Sequence, residues 1–179
     1  MTPAGNTFES ALILVIPEAE DLVGPYRLQH DPGAALGIPA HITTLYPFLP
    51  PEQINASVLD NLTRLFSTQP PIEVRFEGTS RFPGVLYLDP LPPEPLLTLI
   101  NTVFAAFPDH PPYGGIYPEI KPHLTVAQSE DPALLDQLEA EIEELGRDAF
   151  PITSRVSEIS LFEQHSTGWS PFAHFPLGK

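Results

Sequence analysis

The feature that most constrains the fold is a short motif that occurs twice and introduces the same series of elements each time. The motif is His-apolar-Thr-X, at residues 41–44 (HITT) and 123–126 (HLTV). Each copy lies in a stretch that is predicted to be a strand, at 40–48 and 122–127. A segment with helical spacing and two further strands follow each copy. The two motif histidines are 82 residues apart, 123 minus 41.

The elements around the motifs define the fold class. Helices are predicted at 52–67, 94–107 and 132–145, strands at 11–16, 72–77, 85–88, 152–162 and 169–175, and a loop at 109–118. The 24 prolines, many in short clusters, mark boundaries between elements, because proline blocks helix interiors and central strands. Two such α+β units, packed about a pseudo-twofold axis, would bring both motifs to one central cleft. We therefore predict a single bilobal α+β domain over residues 1–179, with two antiparallel sheets and outer helices.

The motif residues carry the chemistry of a candidate catalytic site. Side chains alternate along a strand, so His41 shares a face with Thr43, and His123 shares a face with Thr125. Two imidazoles can serve as one general base and one general acid, since histidine titrates near neutral pH. Two hydroxyls can donate hydrogen bonds to an anion between them. The pattern therefore predicts a metal-free site that cleaves a phosphodiester.

Five further residues are candidates for substrate binding. Lys121, just before the second motif, could place a cation near the phosphate, and Arg81 at a strand end could reach the cleft. Tyr113, Tyr117 and Phe82 could stack on a nucleobase, as aromatic side chains do with unpaired bases. Each has a structural alternative: an exposed lysine, a surface ion pair, or an aromatic anchor in a loop or the core.

Composition excludes several other classes of function. The net charge is −15 with only eight Lys and Arg, which argues against binding a nucleic-acid duplex but leaves room for a small anionic ligand. The absence of cysteine excludes a disulfide framework, a thiolate zinc site and a cysteine nucleophile. Neither His-Glu-x-x-His nor Gly-x-Ser-x-Gly occurs, so we expect no metal and no cofactor. The apolar run at 11–16 is too short for a signal or membrane segment. We expect a cytoplasmic monomer without membrane contact.

The two motifs resemble those of the 2H phosphoesterase superfamily, which is named for its paired His-x-Thr/Ser motifs. The chain looks most like its group of 2′-5′ RNA ligase-like proteins and RNA 2′,3′-cyclic phosphodiesterases, from the strand at 11 to the hairpin at 169. The resemblance implies a bilobal α+β fold and metal-independent cleavage of a cyclic or 2′-linked phosphodiester. It implies that His41 and His123 are the acid–base pair and that Thr43 and Thr125 hold the phosphate. Thr44 departs from the apolar residue that is more frequent there.

Three functions remain open at this level: hydrolysis of a 2′,3′-cyclic or related phosphodiester, 2′-5′ RNA ligation, and non-catalytic binding of a nucleotide or RNA end on the same fold. Ligation is disfavoured because joining two RNA ends calls for a more positive surface. The intact motifs argue against a binding-only copy. The substrate is a cyclic mononucleotide, a cyclic dinucleotide, an ADP-ribose derivative or an RNA end, and the acid and base are unassigned between the two histidines.

Overall fold

The computed structural model describes residues 8–178 and contains two four-stranded antiparallel sheets with helices packed against them. Residues 1–7 and 179 of the predicted domain lie outside the described residues. The strands are β1 Ser10–Val15, β2 His41–Leu45, β3 Ile72–Phe82, β4 Val85–Leu91, β5 Leu124–Gln128, β6 Ile152–Val156, β7 Glu158–His165 and β8 Gly168–Pro176. The helices are α1 Glu20–His30, α2 Pro32–Ala35, α3 Ala56–Ser67, α4 Glu94–Ala106 and α5 Pro132–Ala149, with short 3-10 turns at Pro17–Ala19, Pro51–Gln53 and Pro112–Gly115.

The strand order places both motif strands at sheet edges. One sheet has the order β2-β1-β7-β8 and the other β5-β4-β3-β6, so β2 and β5 each occupy an edge. The two edges contact each other, α3 and α4 pack on the first sheet, and α1 and α5 pack on the second. The predicted α+β class, with two related antiparallel sheets and a cleft between them, is confirmed.

The connectivity corrects the predicted division into two self-contained halves. Each sheet takes two strands from the first half of the chain and two from the second. The predicted strand at 152–162 is two strands in different sheets, separated only by Ser157. β6 alternates buried and exposed residues, whereas residues 159–163 of β7 are buried without interruption between β1 and β8. The first pattern fits a strand with one face exposed to solvent and the second a strand that is covered on both faces, and their adjacency in the sequence hides the boundary between them.

Capping groups and a glycine determine where the helices begin and end. The Asn55 side chain accepts a hydrogen bond from the backbone of Val58, so α3 begins four residues after the predicted start at 52. α5 continues to Ala149, past the predicted end at 145. A Cβ at Gly146 would overlap the ring of Phe150, so this glycine allows the ring to pack on the helix and does not end it. Among residues 8–178, no helix is long and apolar enough to cross a membrane.

Two apolar clusters flank the seam between the sheets. The larger one contains buried residues from both sheets and from α1, α3, α4 and α5. The smaller one lies on the first sheet and contains Ala11, Ile13, Ile38 and Phe162, with the half-buried Tyr46, Val15 and Trp169 packed against it. The larger cluster fixes the position of the two sheets, and the smaller cluster forms an apolar floor next to the motif strand β2.

Candidate active site

The two motifs face a single cleft between the sheet edges. His41 and Thr43 from β2, and His123 and Thr125 at the start of β5, all line this cleft, which has a volume of about 470 Å³. Each of the four side chains is half-buried, as expected for groups that reach a ligand but are supported by protein. The structure therefore brings together the four residues on which the sequence prediction depends.

In β2, a β-bulge follows the motif threonine. Ile13 of β1 pairs with Thr43, and the next residue back, Leu12, pairs with Leu45. Thr44 is thus the extra residue, and its side chain is buried away from the cleft. A bulge reverses the alternation of side chains beyond it. The residues after Thr44 therefore point to the opposite face from the one that unbroken alternation would give.

β5 has the same irregularity at the equivalent place. Tyr87 of β4 pairs with Thr125, and Leu86 pairs with Ala127, so Val126 is the extra residue. Both bulges therefore lie directly after the threonine of a motif. The two copies agree in backbone geometry as well as in residue type.

The bulges bring a third side chain from each strand to the cleft. Tyr46 lies three residues after Thr43, Gln128 lies three residues after Thr125, and both line the cleft. Unbroken alternation would have directed residues 45 and 127 there instead, and these are buried in the core. Sequence reasoning missed Gln128 for this reason, because nothing in the residue pattern marks the bulge.

Both imidazoles are oriented in the same way by the backbone. The Nδ1 atom of His41 lies 2.7 Å from the carbonyl oxygen of Pro39, and that of His123 lies 2.7 Å from the carbonyl oxygen of Lys121. A carbonyl only accepts, so Nδ1 carries the proton in each neutral ring and Nε2 has the free lone pair. Each histidine thus offers Nε2 to a ligand.

The surroundings favour the neutral form of both histidines. Burial lowers the pKa of His41 from 6.5 to about 4; the hydrogen bond to Pro39 opposes this shift and the positive charge of Arg27 adds to it. Burial also lowers the pKa of His123, to which the charge of Lys121 contributes. At pH 7 both rings are uncharged, as a general base requires.

Arg27 of α1 is a residue that sequence reasoning missed. Its side chain is only 2% exposed and pairs with Asp31, with Nη2 2.8 Å from Oδ2. Nε donates to the backbone carbonyl of Thr125 at 3.0 Å, and Nη2 donates to that of Ile38 at 3.3 Å. The guanidinium thus connects the second motif strand to the segment leading into the first. The only sequence signal is the Arg-x-x-x-Asp spacing, which brings the pair together on one helical turn.

Tyr113 enters the cleft from the loop before the second motif. Its φ of 52° lies in the left-handed region, which non-glycine residues rarely adopt, and its N–H donates to the carbonyl of Tyr46 at 2.6 Å. Burial raises the pKa of its phenol, while a hydrogen bond with Thr43 acts in the opposite direction. Its polar end is therefore turned toward the phosphate-binding candidates. Tyr117, which was also predicted to stack on a nucleobase, lines the cleft at its exposed rim. Its ring is edge-on to that of Tyr113, with 5.7 Å between the ring centroids.

With this geometry, the sequence can be compared with known families. Residues 15–168 match the model of the 2′-5′ RNA ligase superfamily. The chain belongs to this superfamily. The resemblance drawn from the two motifs to the 2H phosphoesterases is thereby confirmed. Membership supports a phosphoesterase-type function and an enzyme of the 2H type.

Solved structures agree with this membership at the level of the fold. The protein TT0787 of Thermus thermophilus is 20% identical, with a TM-score of 0.65 over 96% of this chain and 99% of that one. E. coli LigT, in complex with 3′-AMP, is 17% identical, with a TM-score of 0.61 over 97% of this chain and 100% of that one. No curated protein sequence matches the chain.

Two basic residues that were predicted from the sequence to contact substrate, Lys121 and Arg81, have side chains that lie outside the cleft. The Nζ atom of Lys121 is 3.6 Å from the Asp89 carboxylate, and the side chain does not line the cleft. Arg81 is turned toward α5, where its guanidinium lies 2.8 Å from both Asp136 and Glu139. This structure does not bring Lys121 or Arg81 to the cleft, and their contact with substrate stays a prediction. In a chain this acidic, nearby carboxylates compete successfully for each cation.

Phe82 was also predicted to contact substrate, and it supports the site from behind. Its ring stacks on Tyr87 at 4.3 Å and meets the ring of His123 edge-on at 5.1 Å. It does not line the cleft. Phe82 therefore packs against the catalytic candidate and supports the plane of its imidazole, and its contact with a base stays a prediction.

The rest of the cleft wall is apolar or neutral apart from the carboxylate of Asp31. Leu36, Ile38 and Trp169 line one side, and the Trp169 ring is edge-on to Tyr46 at 6.1 Å. Gln164 adds an amide. Within residues 8–178, no group of three or more His, Asp, Glu or Cys side chains is arranged to hold a metal ion. The arrangement offers two uncharged imidazoles and several hydroxyl donors around one point.

Replacing Arg27 tests whether its buried ion pair supports the site. We expect Arg27→Met to lower the free energy of unfolding by about 3–5 kcal/mol, because it leaves Asp31 buried without its partner. Arg155→Met is the matched control, since Arg155 pairs with Glu73 on an exposed surface and should cost less than about 1 kcal/mol. Urea unfolding of both variants measures the difference. An equal loss of unfolding free energy in both variants would mean that the buried ion pair contributes no more to stability than an exposed one.

Proposed function

We propose that this protein hydrolyses a 2′,3′-cyclic phosphodiester of a nucleotide or RNA end, with His41 and His123 as a metal-independent base–acid pair. The observation that carries the proposal is their shared orientation in one cleft. Each ring is held at Nδ1 by a backbone carbonyl, which leaves Nε2 for the reaction. Such fixed imidazoles can remove and supply a proton without moving.

The burial of the two rings supports an assignment of their roles. Burial is the main cause of the shift at His41, whose pKa falls to about 4, so this ring is neutral, as a base must be. The charges of Arg27 and its partner Asp31 act on His41 in opposite directions. Burial also lowers the pKa of His123, but by less. His123 therefore takes up a proton more readily, and we assign it as the acid.

The proposed step balances in protons and bonds. The Nε2 atom of His41 takes a proton from water while the water oxygen attacks phosphorus. The bond from phosphorus to the ribose 3′ oxygen breaks, and protonated His123 gives its Nε2 proton to that oxygen. The resemblance to the 2H phosphoesterases implies this cleavage, which yields a 2′-phosphate. The hydroxyls of Thr43, Thr125 and Tyr113 donate to the non-bridging oxygens.

A nucleotide-sized substrate suits the cleft. Its volume of about 470 Å³ falls within the usual range for small-ligand sites, and Trp169 and Tyr117 offer aromatic surface beside the motif residues. Structures of the related E. coli LigT contain 3′-AMP, ATP or NADP+, which supports a nucleotide-like ligand here. The superfamily name makes 2′-5′ RNA ligation the second candidate.

The direct test is hydrolysis of the four nucleoside 2′,3′-cyclic monophosphates in excess EDTA, with products identified by phosphorus NMR. We expect a 2′-phosphate product and a loss of about 100- to 10,000-fold in kcat for His123→Ala, because the acid is removed. His174→Ala is the control, since His174 lies on β8 outside the cleft. Activity lost on adding EDTA would contradict metal independence. Joining of RNA ends without hydrolysis would favour the ligase.

The pKa values of the two histidines predict an acidic optimum for kcat/KM. His41 must be neutral, which holds above a pH of about 4, and His123 must be protonated, which holds below its pKa. Since burial lowers the pKa of His123 below 6.5, the rate should already fall with rising pH near neutrality. We expect a bell-shaped profile with its maximum between about 4 and 6.5. A profile of kcat/KM that rises through pH 8 would reject the assignment of His41 as base and His123 as acid.

A further inference from the structure

We infer that the cleft selects a phosphodiester that carries a single negative charge and discriminates against the same nucleotide with additional phosphate groups. The inference rests on the proposed function and narrows its substrate class. It follows from the charge of the cleft wall as a whole. The residue that sets this preference is Gln128.

The wall of the cleft is built from neutral hydrogen-bond donors. Among residues 8–178, no lysine or arginine lines it. The groups that can donate a hydrogen bond carry no permanent positive charge: the hydroxyls, the two imidazoles, the indole of Trp169, and the amides of Gln128 and Gln164. His123 is positively charged only when it acts as the acid, and its proton is then directed at the reacting phosphodiester. One carboxylate, that of Asp31, is also part of the wall.

Three cations near the cleft are occupied by protein carboxylates. Arg27 is buried against Asp31 and two backbone carbonyls. Its Nη1 atom also lies 3.8 Å from the Glu20 carboxylate. The two others are also paired: Lys121 lies beside Asp89, and Arg81 contacts two acids of α5. None of these three groups can turn to a ligand without abandoning a charged partner.

A wall without basic side chains can bind a ligand that carries one negative charge, but it binds a ligand with three negative charges poorly. A cyclic phosphodiester is a monoanion, and hydroxyl and amide donors can replace the water around its two non-bridging oxygens. A 5′-phosphate adds almost two further charges, for which the wall described above offers no cation. They also meet the field of a chain whose net charge is −15. Binding then costs desolvation and repulsion without compensation.

Gln128 occupies the position from which a cation would act. The bulge at Val126 brings it to the cleft face, in line with His123 and Thr125 along β5, and its side chain is exposed. A long cationic side chain there would reach a ligand beside the two motif residues. The neutral amide at this point therefore leaves the wall without a basic side chain.

The test compares adenosine 2′,3′-cyclic monophosphate with its 5′-phosphorylated form, in the wild type, Gln128→Arg and Gln53→Arg. Both variants add one positive charge, but Gln53 lies in an exposed 3-10 turn outside the cleft. At low ionic strength we expect wild-type kcat/KM to be at least about tenfold lower for the 5′-phosphorylated compound. The gap should shrink as the Debye length falls from roughly 30 Å at 0.01 M salt to roughly 3 Å at 1 M. Gln128→Arg should remove most of this difference in kcat/KM between the two compounds, and Gln53→Arg should not.

Two results would overturn the inference while leaving the proposed function intact. One is equal or better hydrolysis of the 5′-phosphorylated compound by the wild type. The other is an equal change in both variants, which would assign the effect to overall charge. If neither compound is hydrolysed, the proposed function fails. Selectivity is then measured by fluorescence titration with the same two compounds, because Trp169 is the only tryptophan and lines the cleft. Weaker binding of the 5′-phosphorylated compound supports the inference, and equal binding rejects it.

Discussion

The buried guanidinium of Arg27 is the interaction on which the cleft depends. In the part of the chain that the structure describes, the two sheets share no strand pairing, so no backbone hydrogen bonds between strands join the two motif strands. Arg27 crosses the seam between the sheets, donating to the backbone of Thr125 in one sheet and of Ile38 at the entry to the other. A charge buried this deeply is tolerated only when it is paired, and Asp31 provides the pair. The same charge helps to hold the neighbouring histidine in its neutral form.

The two motifs are alike in geometry and different in electrostatics. Each strand has a bulge directly after its threonine, and each histidine donates Nδ1–H to the carbonyl two residues before it. The surroundings are not repeated: burial lowers the pKa of His41 to about 4 and that of His123 by less, and the nearby cation is a buried arginine at His41 but an exposed lysine at His123. A pseudo-symmetric backbone can therefore carry two distinct roles, because the roles depend on the surroundings and not on the motif.

Much of the fold and the centre of the site could be predicted from the sequence, since hydrophobic periodicity and a repeated motif are local signals. The α+β class, the cleft and the convergence of both His-Thr pairs follow from them. The bulges that deliver Gln128 could not be predicted, because they arise from pairing with a neighbouring strand. Nor could the pattern show that Arg81 would pair with acids of α5, or that Arg27, in a helix that contains Pro25, would be buried. These outcomes depend on tertiary contacts between residues far apart in the sequence.

The central claim is that both histidines act on one bound phosphodiester, and a double-mutant cycle tests it most directly. The measurement is kcat/KM for a nucleoside 2′,3′-cyclic monophosphate in wild type, His41→Ala, His123→Ala and the double variant. Residues that act as a unit give non-additive losses. We expect each single variant to lose about 100- to 10,000-fold and the double variant to lose little more than the worse single variant. Losses that multiply, or a single variant with full activity, would contradict the account.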